Sequence, residues 1–142
     1  MSNYPTEYLK PLPVIRPETE PFWRAARRHE LLIQTCSCGA KIFFPRLLCP
    51  HCFSQELKWM RASGFGTVYS FTIIYQSRHP GFKGEPYVYS IVELEEGTRM
   101  ISNIINIAPE IVRIGMRVRV VFEDVTSEIA IPRFEPVSKG TL

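Results

Sequence analysis

All four cysteines of the chain fall between positions 36 and 52, as the close pairs Cys36/Cys38 and Cys49/Cys52. Two tight pairs joined by a hairpin-length stretch suit Zn²⁺, which takes four thiolates in a tetrahedron when two short turns face each other. The second pair, Cys49-Pro50-His51-Cys52, has the two-residue gap of a zinc knuckle, and Pro50 presets the backbone angle of its turn. The first, Cys36-Ser37-Cys38, is one residue shorter and is followed by Gly39, where a tight turn calls for a positive φ. Both thiolates of the short pair still reach one ion, with fewer backbone N–H contacts to sulfur than a full knuckle provides. Free buried cysteines or a metal-free ribbon are the competing readings, and His51 is either a substitute ligand or a solvated side chain. Disulfides are disfavoured, because the stretch Met1-Ser2-Asn3-Tyr4-Pro5-Thr6-Glu7 has no basic segment leading into an apolar one and cytosolic thiols stay reduced. Thiols committed to a structural ion are not available as nucleophiles.

Other reactive groups are sparse. His29, His51 and His79 are the only side chains that titrate near neutrality without tuning, and none sits in a nucleophile or base motif. The chain has no Gly-rich phosphate loop, Ser elbow or His-Glu-x-x-His helix, so no catalytic residue is assigned. The candidate contact segment is Gln76-Ser77-Arg78-His79-Pro80-Gly81-Phe82-Lys83-Gly84, long for a hairpin connection. Arg78 and Lys83 suit phosphates or acidic partner residues, Phe82 suits an apolar arm, and His79 lies between them. The competing reading is a solvated loop whose charges serve solubility.

The elements that must position these groups follow from patterning. At 142 residues and 45% hydrophobic content, the chain is long enough for a core without staples. Seventeen Lys+Arg against 14 Asp+Glu leave a net charge of +3, mild for a nucleic-acid binder. No apolar run approaches the ~20 residues of a membrane span, and a cytoplasmic location is expected.

Pro5, Pro11, Pro13 and Pro17 predict an extended arm, and Thr19 to His29 a helix with Phe22, Trp23 and Ala26 on one side and Arg24, Arg27 and Arg28 on the other. Leu31 to Gln34 leads as a strand into the first cysteine pair and Lys41 to Phe44 leaves it. Leu57 to Arg61 forms the next strand, with Trp59 read as ribbon core. Beyond Ser63-Gly64-Phe65-Gly66 the sequence reads as all β, with strands over Thr67–Tyr75, Tyr87–Leu94, Arg99–Ile107, Met116–Phe122 and Ile129–Pro132. Pro132 marks an edge or an end, and Pro109 to Ile114 a short helical turn. The expected fold class is mainly β, with an arm and helix over residues 1–30, a zinc ribbon over 31–63 and a five-stranded OB-type barrel over 64–142.

The segment Cys36 to Cys52, followed by Ser63-Gly64-Phe65-Gly66-Thr67-Val68-Tyr69-Ser70-Phe71-Thr72, resembles a family long labelled a domain of unknown function. Its members join a rubredoxin-like zinc ribbon to a C-terminal OB-fold. Pro86-Tyr87-Val88, Val92 to Gly97, Ile114-Gly115-Met116 and Ile131-Pro132-Arg133-Phe134 are similar to its signatures in the same order. The departures are the shortened first knuckle and Phe53, where such ribbons often place a small residue. The resemblance implies a non-catalytic accessory subunit of a thiolase or acyltransferase complex, such as the small subunit of benzoylsuccinyl-CoA thiolase. In such complexes the carbon–carbon chemistry belongs to the thiolase-like partner, and the ribbon/OB subunit supports it and helps enclose the CoA arm. Two alternatives remain. One is a single-stranded nucleic-acid binder with Arg117 and Arg119 on an exposed strand face, and the other is a self-sufficient acyl-CoA enzyme such as a thioesterase.

Overall fold

The computed structural model describes residues 7–137, so the first six residues of the expected arm lie outside the described residues. Helix α1 (Glu20–Arg27) comes first. It opens with Pro21 in its first turn, where a missing N–H costs nothing. It ends two residues earlier than the pattern predicts, because the Arg28 and His29 amides donate to Ala25 and Ala26 and His29 turns left-handed at φ 59°. Its Phe22, Trp23, Ala25 and Ala26 are buried.

Strands β1 (Leu32–Cys36), β2 (Lys41–Ile42) and β3 (Leu57–Arg61) form an antiparallel sheet in the order β2-β1-β3. Strand β2 stops at Ile42, whereas the aromatic pair after it suggests a longer strand. Phe43 and Phe44 leave the sheet and set their rings 5.6 and 5.8 Å from that of Phe22, so packing on the helix overrides strand propensity. The ribbon has its own small core of Cys36, Ile42 and Cys49. Trp59 does not belong to it: this half-buried side chain packs against the main core.

The remaining strands, β4 (Phe65–Ile74), β5 (Tyr87–Leu94), β6 (Arg99–Ile104), β7 (Arg117–Asp124) and β8 (Ala130–Pro136), close into a barrel in the order β4-β5-β6-β8-β7. The Pro109–Ile111 turn connects the third barrel strand to the fourth. Val68, Val88, Val92, Val118 and Phe134 fill the interior with no more than 1% exposure, each contributing on the order of 1.5–3 kcal/mol by burial. Strand β6 ends at Ile104, short of the expected Ile107, and β8 runs through Pro132 to Pro136. Pro132 is tolerated because β8 pairs along its length only with β7 and meets β6 at the single bridge Ile104↔Phe134, leaving β8 an edge-like side. Among the described residues no helix is long and apolar enough to cross a membrane.

Candidate functional site

The four sulfurs converge. Cys36 ends β1, Cys38 follows the tight turn, and Cys49 and Cys52 flank the second knuckle, with all four Sγ atoms within 4.8 Å of one another. Cys36 lies 3.4 Å from Cys52, and Cys38 3.7 Å from Cys49. A tetrahedral set at a Zn–S distance of ~2.3 Å has S···S edges of about 3.8 Å, so the donor set fits an ion of that size and softness. Cys36 and Cys49 are buried, while Cys38 and Cys52 face solvent.

The shortened first turn keeps its shape. Gly39 adopts φ 92° and donates to the Cys36 carbonyl at 2.9 Å, and Cys36 donates to the Ala40 carbonyl at 3.0 Å. The Ala40 amide lies near Cys38 Sγ and favours its thiolate. In the second turn the His51 amide reaches Cys49 Sγ at 3.4 Å.

These contacts divide the charge unevenly. Burial alone would raise the Cys49 thiol, but the Cys52 and His51 amides and the neighbouring thiols bring it down to about 6. The Ser54 amide favours a Cys52 thiolate, yet the sulfurs of Cys36, Cys38 and Cys49, with desolvation, outweigh it and push Cys52 up to about 12. Cys38 is also raised, the Ala40 amide being outweighed by the Cys36 sulfur, desolvation and Cys49. The first thiolate forms readily and the next are resisted, so four thiolates in this space call for a cation among them.

Gln34 ties the second knuckle to the first. Its side-chain amide donates to the Arg46 carbonyl at 3.0 Å and accepts from the Arg46 amide at 2.7 Å, so the segment before Cys49 is fastened beside β1. Nothing in the local sequence marks Gln34 for this role.

The second predicted group lies on the connection between β4 and β5. His79 Nδ1 accepts from the Gly81 amide at 3.0 Å and so caps the Pro80–Phe82 turn. Phe82 is half-buried, its ring 5.5 Å from His79, 5.3 Å from Tyr87 and 5.4 Å from Lys10 Nζ. Arg78 and Lys83 are exposed. A Cβ on Gly81 would sit 2.5 Å from the Leu9 carbonyl oxygen, so the absence of a side chain lets the arm lie on this turn. Lys10, Phe82, Lys83, Tyr87, Asn103 and Arg133 line a cavity of about 520 Å³, which shares no residue with the sulfur cluster. Lys10, Asn103 and Arg133 were not legible as site residues. The only signal was a charge at position 133 between Pro132 and Phe134 in a strand.

The histidines occupy separate places. His29 Nε2 lies 3.0 Å from Asp124 Oδ1 and its ring stacks on Phe122, joining the end of α1 to β7. His51 stands beside the exposed sulfurs and His79 in the turn.

Comparison with known proteins places this architecture. Residues 23–58 match the family model described as the ChsH2 rubredoxin-like zinc ribbon domain, and residues 59–123 match the ChsH2 C-terminal OB-fold domain. The chain is 37% identical over 129 residues to a probable enoyl-CoA hydratase alpha subunit of Thermomonospora curvata, covering 90% of this chain and 40% of that protein. It therefore spans about two fifths of the length of that relative. It is 35% identical over 109 residues to a DUF35 domain-containing scaffold protein of Methanocaldococcus jannaschii, covering 75% of this chain and 77% of that one. The solved Ltp2-ChsH2(DUF35) aldolase contains a chain that superimposes with a TM-score of 0.80 at 36% identity, over 89% of this chain and all of that one. With a ribbon and a barrel in the same order as these relatives, the chain belongs to the DUF35 family, which joins a rubredoxin-like zinc ribbon to a C-terminal OB-fold.

Proposed function

We propose that this chain is a non-catalytic accessory subunit that docks on a thiolase-like enzyme and helps form or cover its acyl-CoA site during carbon–carbon bond formation or cleavage. The observation that carries the reading is the likeness to the DUF35 chain of an aldolase assembly, at 36% identity over the whole of that chain. A hydratase alpha subunit and scaffold proteins among the relatives support the coarser part, a subunit serving acyl-CoA chemistry.

In this reading Cys36, Cys38, Cys49 and Cys52 hold a structural Zn²⁺, whose charge supplies folding energy to a ribbon with a core of only a few side chains. Leu47 and Phe53, 71% and 74% exposed on the ribbon, are apolar surface suited to a partner. Arg78 and Lys83 face CoA phosphates or acidic partner residues, Phe82 packs on the pantetheine arm, and His79 holds the turn that presents them. Four unbridged thiols suit a reducing compartment, and the proposed location is the cytoplasm. The proposed division is arm and helix to residue 30, ribbon over 31–63 and barrel from 64 onward.

Isolation of the tagged chain from its native host tests the assembly. A thiolase-fold enzyme recovered in fixed stoichiometry is expected. Recovery of single-stranded nucleic acid instead, released steeply by added salt, would overturn it in favour of the nucleic-acid reading.

A further inference from the structure

The sulfur cluster can be approached from one side. A hollow of about 330 Å³ is lined by Cys38, Ala40, His51 and Cys52, so one cysteine of each knuckle faces it. Cys36 and Cys49 lie behind them, 7% and 0% exposed. Each outer sulfur has an inner sulfur of the opposite knuckle as a close neighbour, Cys36 for Cys52 at 3.4 Å and Cys49 for Cys38 at 3.7 Å. A thiolate that ligates a metal keeps lone pairs on sulfur. An exposed one therefore stays open to a small electrophile from which the buried pair is screened.

The two close pairs are not equivalent. Cys36 is fixed in the sheet, opposite Leu57 in the β1–β3 ladder and donating its amide to the Ala40 carbonyl at 3.0 Å. Cys52 sits in a turn, where its side chain has room to swing towards that fixed partner. A disulfide has its sulfurs about 2.05 Å apart, so the Cys52 sulfur has to approach Cys36 by only about 1.4 Å. In the other pair the Cys49 sulfur is tied to its own turn by the His51 amide at 3.4 Å, and Cys38 starts farther away.

We propose that Cys52 and Cys36 form an oxidation site for hydroperoxides, at which the two knuckles become joined by a disulfide. The Cys52 thiolate, facing the hollow, attacks the outer peroxide oxygen, expels hydroxide or an alkoxide and becomes a sulfenic acid. The Cys36 thiolate then attacks that sulfur and expels hydroxide, which leaves the Cys36–Cys52 bond. The two thiolates give up two electrons in all. With two protons from solvent, hydrogen peroxide is reduced to two waters. Cys38 and Cys49 remain, two ligands where tetrahedral Zn²⁺ takes four. Oxidation thus removes the ribbon's hold on its ion, while the new bond keeps the second knuckle tied to β1. A dithiol reverses the link. The site stands independently of the accessory-subunit reading.

The test treats the full, zinc-loaded chain with hydrogen peroxide while a chromogenic chelator reads free zinc. Remaining thiols are alkylated, and tryptic peptides are mapped by mass spectrometry. Trypsin leaves Cys36 and Cys38 on the peptide 29–41 and Cys49 and Cys52 on the peptide 47–58, so a bond between knuckles joins two peptides. The joined pair is expected, assigned by fragmentation to Cys36 and Cys52, with about one equivalent of zinc released per link. Dithiothreitol with added zinc should reverse both changes. Cys38→Ala and Cys36→Ala each remove one ligand, but the joined peptides should persist in the first variant and fall away in the second. Bonds confined within either pair, a Cys38–Cys49 link, or sulfinic and sulfonic acids without a link would overturn the site. So would zinc retention under peroxide, or equal joining in the two variants.

Discussion

The Gln34 side-chain amide and the Arg46 backbone amide are hydrogen-bonded to each other in both directions, at 3.0 and 2.7 Å, with Gln34 only 5% exposed. The pair closes the stretch between β2 and the second knuckle, so the approach of Cys49 to Cys38 depends on a side chain of β1. Gln34→Leu leaves the Arg46 N–H and C=O without partners, and a loss of about 1–3 kcal/mol is expected in urea unfolding. The variant should also release zinc at a lower chelator concentration. Unchanged unfolding and metal retention would contradict this role.

Metal removal should act locally. Cys36, Ile42 and Cys49 form a cluster separate from the main core, which holds Val88, Val92 and Phe134. Chelation, or Cys49→Ser, should abolish amide protection at Cys36, Ile42 and position 49 while Val88 and Val92 stay protected. The wild-type chain should carry about one zinc and Cys49→Ser less than about half an equivalent. Full occupancy of the variant would show that the four sulfurs are not the ligand set.

Acid should loosen the barrel at Glu95. The Arg117 guanidinium hydrogen-bonded to this carboxylate, with Ser63 second, holds its carboxyl below the usual carboxylate range. A carboxyl depressed in the folded state contributes stability that is complete above its unfolded value of about 4.3 and is lost as the pH falls through the lower folded value. Arg117→Ala should therefore shrink the drop in urea midpoint between about pH 6 and about pH 3. An undiminished drop would assign the acid sensitivity elsewhere.

Phe53 is in a conformation that does not suit it. It has φ 61° and is 74% exposed, so it carries left-handed strain without burying its ring. That strain costs an L-residue roughly 1–2 kcal/mol, against roughly 0.5–1 kcal/mol of extra chain entropy for glycine. Phe53→Gly should stabilise the isolated chain by about 0.5–1 kcal/mol, read from thermal unfolding. If Phe53 serves the partner surface, the same variant should weaken co-purification. Destabilisation of the isolated chain would show that the ring has a structural role of its own.

The cysteine pairs and the barrel strands were legible because both depend on local signals, namely ligand spacing and period-2 alternation bounded by turn residues. Phe43 and Phe44 misled because strand propensity says nothing of an aromatic helix face waiting to be covered. Pro132 signals an edge or an end; the edge holds, because β8 pairs along its length on one side only, while the strand runs on to Pro136 since topology and not local sequence decides where it stops. Gln34, Lys10, Asn103 and Arg133 act through partners distant in sequence or through a shared cavity, and no local pattern encodes either. Trp59 sits on a ribbon strand, yet it packs against the main core that Leu31 and Ile33 share with the barrel and not against the small cluster around Cys36, a division that sequence proximity does not reveal.

The central claim is that this chain serves carbon–carbon chemistry performed by another subunit. The most direct measurement is thioester turnover by the purified, zinc-loaded chain, by the thiolase-fold enzyme proposed as its partner, and by the two recombined. The account predicts no turnover by the chain alone and restoration of the partner's activity on recombination. Sustained conversion of an acyl-CoA by the isolated chain, or a partner fully active without it, would contradict the account.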